Sequence, residues 1–289
     1  MSKTKRDNGA ILVTYVVAIA IGLGVAAAFW GSTPRWAAVL IADLAATAAV
    51  FGASRTLNNS SVYDAYWSVA PPVIAFGLFA SSDVGSSLRA WLVCLLITVW
   101  GIRLTYNWWR GWRGMTHEDW RYVDLRTSTG SAYWLVSFAG LHVFPTLLVY
   151  AGCTALLPIM DPSARALGLL DLIAAAVMIA AVVIEALADR QLHDFVASKP
   201  RPDEVMTRGL WGLCRHPNYL GEVALWYGLA LFGYAANPEA WWVVSGPVAM
   251  TALFVFISIP MIEKRMLRKR PAYAEVIARY PKLLPLGRR

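Results

Sequence analysis

Charge is scarce in this chain: Asp, Glu, Lys and Arg make up 15% of its 289 residues, while 58% are apolar. An ordinary soluble domain is thereby excluded, since its surface needs about a quarter of the residues charged. The three cysteines, Cys94, Cys153 and Cys214, are far apart and lie in or beside apolar segments, so neither a disulfide framework nor a metal site is indicated. They read as packing residues. The four histidines, His117, His142, His193 and His216, have no ligand spacing to one another, and no Ser/His/Asp constellation occurs. No strand is evident and no GxGxxG follows one, so any nucleotide must be held by side chains between helices. A secretory signal is also missing, because the apolar run from Ala10 to Trp30 has the length of a span. Internal repeats and a soluble second domain are absent.

What remains is an integral membrane protein, with 14 Trp and a mean hydropathy of +0.50. Eight apolar segments cover about residues 10–30, 36–53, 66–80, 88–107, 132–157, 166–187, 218–236 and 240–262. The second and third are the weakest, which leaves a count of seven open. With both termini inside, the outer loops hold only Arg35, Arg89 and Arg165 of the 26 Lys and Arg residues. The expected fold is an all-α polytopic bundle of seven or eight transmembrane helices in the cytoplasmic membrane, with both termini and the active face cytoplasmic. The net charge of +8 then belongs to inner loops and anionic membrane lipids rather than to nucleic acid.

Four cytoplasmic stretches carry nearly all the polar chemistry. The densest, RGLWGLCRHPNYLGEVALWYG from Arg208, packs Arg215, His216, Asn218, Tyr219 and Glu222 at the mouth of an apolar segment. Ionisable groups there are costly unless they pair, meet water or hold a ligand. A helix starting at Pro217 sets Asn218 and Glu222 on one face, beside Tyr219. Upstream, RTLNNSSVYDAYWSVAPP places Asp64 between Tyr63 and Tyr66. Asp64 reads as a proton donor, or alternatively as a charge complementing a helix start. In WGIRLTYNWWRGWR, Arg103, Asn107 and Arg110 form a row suited to phosphate oxygens, although an interfacial belt of Trp and snorkelling Arg is the plainer account of its outer members. Glu185 and Asp189 share one side at the end of the sixth segment, where like charges need a cationic or hydrogen-bonding partner. The ending is a basic amphipathic tail with Glu263, Arg265, Tyr273 and Tyr280, suited to lipid head groups.

In NNSSVYDAYW, RLTYNWWR, LWGLCRHPNYLGEVALWYG and KRPAYAEVIARYPKLLP the chain resembles the steroid 5-alpha-reductase family, over residues 58–285. The core motif also resembles RHPNYLG of delta-14 sterol reductases and, more loosely, RHPxYxG of isoprenylcysteine carboxyl methyltransferases, which bind S-adenosylmethionine. The resemblance implies N-terminal helices over 1–57 and a catalytic domain over 58–289. Its implied activity is hydride transfer from NADPH to the double bond of a hydrophobic enone, steroid-like or another lipid. By position, Asn218, Glu222, Asp189, Arg265 and Tyr273 match cofactor-contacting residues, and Asp64 stands near the family's catalytic Glu. Trp100 occupies the place of the family's catalytic Tyr, and Tyr63-Asp64 replaces its Gln-Glu pair. The proton donor then falls to Tyr63, Tyr66 or Tyr106.

Two rivals stand beside the reductase. A methyltransferase of prenyl-cysteine or lipid substrates would use Arg215, His216 and Tyr219 to hold S-adenosylmethionine. A non-enzymatic lipid-binding protein would use the motif's polar groups as structural pairs. Arg103, Asn107 and Arg110 add phosphate-binding capacity that the methyl donor lacks, which favours NADPH, though NADH is not separated from it. Nothing in the sequence calls for more than a monomer.

Overall fold

The computed structural model describes residues 3–85 and 87–285. Among these residues the chain is helical nearly throughout, with no strand beyond an isolated bridge between Trp30 and Thr33. Six helical runs are long and apolar enough to cross a membrane: Asp7–Phe29, Arg35–Thr56, Leu88–Gly111, Trp120–Ile159, Leu169–Ala197 and Trp241–Lys269. They account for six of the eight expected segments. The third segment forms a helix, Tyr66–Ala80, of 15 residues, about 22 Å long at 1.5 Å per residue and short of a 30 Å hydrocarbon core. The seventh forms Pro217–Ala236, a 20-residue helix with thirteen residues buried, so it is wrapped by protein more than by lipid. The polytopic helical bundle expected from the sequence is the observed fold class.

The chain divides into two compact units at 164/165. The first contains α1 (Lys3–Phe29), α2 (Arg35–Thr56), α3 (Tyr66–Ala80) and α4 (Leu88–Gly111). A long run follows, made of α5 (Trp120–Thr129), α6 (Tyr133–Val136), α7 (Phe144–Cys153) and α8 (Leu156–Ile159). One side of α1 presents Leu12, Val13 and Val16 outward, each more than half exposed, as a lipid-facing helix does. Its other side buries Ile11, Tyr15 and Ala18 in a core with Ala46 and Val50 of α2 and with Val62, Tyr63, Ala65 and Tyr66. Tyr15 donates its hydroxyl to the Val62 carbonyl at 2.7 Å, so α1 is fastened to the short turn that leads to Asp64. Pro71 and Pro72 lie inside α3. A proline displaces and frees the carbonyl four residues before it, and Pro72 frees that of Ser68. Gly101 of α4 packs at that place: a Cβ there would sit 2.5 Å from the Ser68 oxygen and 2.9 Å from the Pro72 ring. The long run widens into a π-turn over Ser137–Val143, just before Pro145. A second π-turn, Phe254–Ser258 in the other unit, precedes Pro260 in the same way. In both, the proline removes one backbone bond and the ladder shifts by a residue to accommodate it.

The second unit contains α9 (Leu169–Ala197), α10 (Pro217–Ala236), α11 (Ser245–Leu253), α12 (Ile259–Lys269) and α13 (Tyr273–Arg279). Its densest contact is between α9 and α10, where small residues let two backbones meet. A Cβ on Gly221 would lie 2.8 Å from the Ala181 carbonyl and 2.8 Å from the Glu185 Cβ. Backbone cannot yield as a flexible side chain does. Replacing Gly221 with Val should therefore lower the melting temperature in detergent, by about 1–3 kcal/mol of stability. Gly24→Ala, with nothing within 4 Å, should leave it unchanged or slightly raised; equal melting of the two variants would show that the α9–α10 contact is looser than described.

Candidate functional site

Each unit carries one polar centre. In the first, the chain leaves α2 and turns through Ser60–Tyr63. Asn59 fixes that turn in three directions: its Oδ1 accepts from the Ser61 N–H at 2.8 Å, and its Nδ2 donates to the Met115 and His117 carbonyls, both at 3.0 Å. The segment after α4 is thereby stapled to the turn. Glu118 accepts the Ser60 N–H at 2.8 Å, and the Asp119 N–H donates to the Ser61 hydroxyl at 2.9 Å. Asp119 caps α5 through the Arg121 N–H and holds the Arg121 side chain at 2.7 Å. Tyr122, on the next turn, donates its hydroxyl to Asp64 Oδ1.

Asp64 is half-buried, with the Tyr122 hydroxyl on its carboxyl. Burial pushes its carboxyl up to about 6, and the Arg121 charge and the Tyr122 hydroxyl hold it from rising further. The carboxyl changes protonation state near neutrality, the property a proton-handling group needs.

The tyrosines expected beside Asp64 go elsewhere. Tyr63 is buried, its hydroxyl 2.7 Å from the Thr146 hydroxyl, which in turn meets Thr47 at 2.8 Å. Tyr66 is buried against Tyr63 and Tyr15 and lines a cavity between α1, α2 and α3. Tyr106 is 59% exposed on the outer side of α4, with the Arg110 guanidinium over its ring at 5.9 Å. Tyr122, which does touch Asp64, was not singled out in the sequence: the two are 58 residues apart, and no spacing rule connects them. Along α4, Trp100 is fully buried against Trp67, Arg103 keeps Nε and Nη2 from solvent, Asn107 is half-buried and Arg110 is exposed. The row thus grades from the interior to the surface.

In the second unit α10 does begin at Pro217, with His216 preceding it, so Asn218 and Glu222 share a face. Glu222 is buried, and its Oε1 accepts from the Trp226 indole at 2.8 Å, one turn on. The Asn218 Oδ1 is buried and has no hydrogen-bond partner among the described residues. Tyr219 lies between His216, stacked at 5.5 Å, and Phe254 at 4.4 Å. Arg215 is engaged within the protein: Nε meets Glu263 Oε1 at 2.7 Å, and Nη1 donates to the Ile277 and Tyr280 carbonyls at 2.9 and 2.5 Å. His216 Nε2 stands 3.0 Å from the same Glu263 oxygen. The N–H groups of Arg215 and His216 donate to the Pro281 and Lys282 carbonyls, at 2.9 and 3.2 Å. The basic tail is thus drawn onto the motif. Tyr273 is buried, and burial together with the Glu263 charge pushes it up to about 12, so it remains a neutral donor. Asp189 and Arg265 are half-buried, near the end of α9 and on α12. Cys214, buried beside the motif, has its thiol pushed up by burial, as a packing residue should. Among the described residues no group of three His, Cys, Asp or Glu could hold a metal.

Residues 50–280 match the family described as "Protein of unknown function (DUF1295)". An uncharacterized protein of the fission yeast Schizosaccharomyces pombe is 28% identical over 250 residues, covering 78% of this chain and 72% of that protein. No solved structure matches the chain.

Loss of the Arg215 clamp should release the tail. Arg215→Ala should raise the rate of tryptic cleavage at Arg279 and Lys282 by roughly tenfold, since hydrogen bonds to a charged group contribute about 1.5–3 kcal/mol. His193→Ala, on an exposed position, should leave the rate as it is. Equal cleavage of the wild type and Arg215→Ala would show that the tail is held by other contacts.

Proposed function

We propose that this chain, which belongs to the DUF1295 family, is a membrane-embedded reductase that uses NADPH to saturate the carbon–carbon double bond of a hydrophobic enone, steroid-like or another lipid. Its polar face is assigned to the cytoplasmic side of the cytoplasmic membrane, on the strength of the Lys and Arg distribution. The observation that carries the reading is the buried Asn218 Oδ1 without a partner, one turn before Glu222 on α10. An orphaned acceptor in an apolar bundle costs free energy unless a donor reaches it, and the carboxamide and ribose hydroxyls of a nicotinamide nucleotide are such donors. The motif's likeness to the steroid 5-alpha-reductase family supports the same assignment.

The residues fit that cofactor in distinct ways. Asn218 and Glu222 are assigned the nicotinamide end, with Tyr219 as an aromatic wall. Asp189, Arg265 and Tyr273 supply carboxylate, guanidinium and phenol for ribose and phosphate. Arg103, Asn107 and Arg110 add phosphate-binding capacity. Arg215 and His216 act as positioning residues, because their described bonds run to Glu263 and the tail. Bound NADPH supplies a hydride to the β carbon of the enone. Asp64 supplies the proton that the resulting enolate takes up, so the double bond gains one hydride and one proton and becomes a single bond. Tyr122 holds the Asp64 carboxyl in place and tunes it.

The rival methyltransferase reading would need the Arg103 row to have no ligand role. The proton step separates the two. Asp64→Ala should abolish enone reduction while leaving NADPH affinity nearly unchanged, because the loss falls on the transition state and not on cofactor binding. Since the acid form is the active one and burial pushes Asp64 up to about 6, kcat should fall as pH rises above that value. Tyr122→Phe removes a bond that holds the carboxyl down, so its falling limb should move to higher pH. Unchanged turnover in Asp64→Ala, or an unmoved limb in Tyr122→Phe, would remove Asp64 from the acid role.

A further inference from the structure

A second place in the first unit has the makings of a binding site, and it adjoins the Asp64 centre through Tyr66. Helices α1, α2 and α3 line a half-open cavity of about 430 Å³, within the size range of small-molecule sites. Its walls are apolar, from Ile19 and Gly22 of α1 to Ala70 and Ile74 of α3, with Asp43 of α2 and Tyr66 of α3 as the main polar members. Asp43 is the only charged residue in the apolar run 36–53. It is 6% exposed, and its Oδ2 has no hydrogen-bond partner among the described residues. A carboxyl group in that position is costly by itself, and intramembrane carboxyls are retained where they meet a partner or a ligand. Helical packing alone would have been served by Leu. The α1 and α2 walls, Ile19 to Ala46, also precede residue 50, where the family match begins.

We infer that this cavity binds a lipophile bearing a single hydroxyl group, its apolar body between α1, α2 and α3 and its hydroxyl donating to Asp43 Oδ2. The hydroxyl matches the site in both roles. It donates to the bare carboxyl oxygen, and its own oxygen can accept from the Tyr66 phenol on the α3 wall. An amine would add three donors where one acceptor waits, and a phospholipid head group would bring more charge and bulk than two small polar groups can satisfy. The inference shares Tyr66 with the proton donors first considered for the reductase, but neither Asp43 nor the α1 wall takes part in that reading.

The test uses the full-length protein in detergent with a 16-carbon alcohol carrying a photoreactive diazirine, compared with the same chain lacking the hydroxyl. Wild type should be labelled by the alcohol on peptides spanning residues 19–46, and saturating alcohol should raise its melting temperature. Asp43→Leu should lose at least tenfold of that labelling and the whole of the thermal response, while its own ligand-free melting temperature stays equal or rises, because a bare carboxyl has been removed. Ala46→Phe, which fills the cavity and keeps Asp43, should lose the labelling too. Equal labelling by the alcohol and the hydrocarbon would show a lipid-filled crevice and overturn the inference, as would unreduced labelling of Asp43→Leu. Preferential labelling by the corresponding 16-carbon amine would overturn the hydroxyl assignment.

Discussion

A polar side chain placed inside an apolar helical bundle must find a hydrogen-bonding partner there, because no water is at hand to supply one. Most of the organisation of this protein follows from how that demand is met. Asn59 satisfies three backbone groups and so joins two connections that are distant in sequence. Arg215 does the same for the tail, drawing Ile277 and Tyr280 onto the motif through a guanidinium held by Glu263. These are the places where irregular backbone approaches apolar helices, and each has a polar residue at its centre. Among the described residues the Asn218 Oδ1, the Asp43 Oδ2 and the Trp112 Nε1 are buried atoms that stand outside the pattern.

Hydropathy and charge made the fold class legible, because a run of apolar residues long enough to span a bilayer has few other uses. The count of spans was less so. Tyr66–Ala80 is apolar throughout yet only 15 residues long, and Pro217–Ala236 is apolar yet largely packed inside protein. Hydropathy measures what a helix can tolerate and not what surrounds it. The start of α10 at Pro217 was readable because proline at the first helical position carries its own geometric signal. Both π-turns also have their cause in plain view, at Pro145 and Pro260, but a proline marks that the ladder breaks and not how it reforms.

The candidate site was legible in part for a similar reason. Residues four apart on one helix could be placed together, as Asn218 and Glu222 were. Contacts across 58 residues could not, so Tyr122 was missed. Adjacency in sequence misled in the opposite sense: Tyr63 and Tyr66 flank Asp64, yet the Tyr63 hydroxyl reaches Thr146 and Tyr66 faces the cavity. Asp43 had a signal of its own, a lone carboxyl in an apolar run, which by the cost of burying charge points to function wherever it occurs.

We assign the unpartnered acceptor on α10 to a nicotinamide nucleotide. Thermal shift of the detergent-purified protein with NADPH and with S-adenosylmethionine, on the wild type and on Asn218→Leu, checks that assignment. A ligand at about 100 times its dissociation constant stabilises the folded state by about 2.7 kcal/mol. NADPH should raise the melting temperature of the wild type, Asn218→Leu should lose most of that rise, and S-adenosylmethionine should have no effect. A response to S-adenosylmethionine alone, or an NADPH response that Asn218→Leu keeps in full, would contradict it.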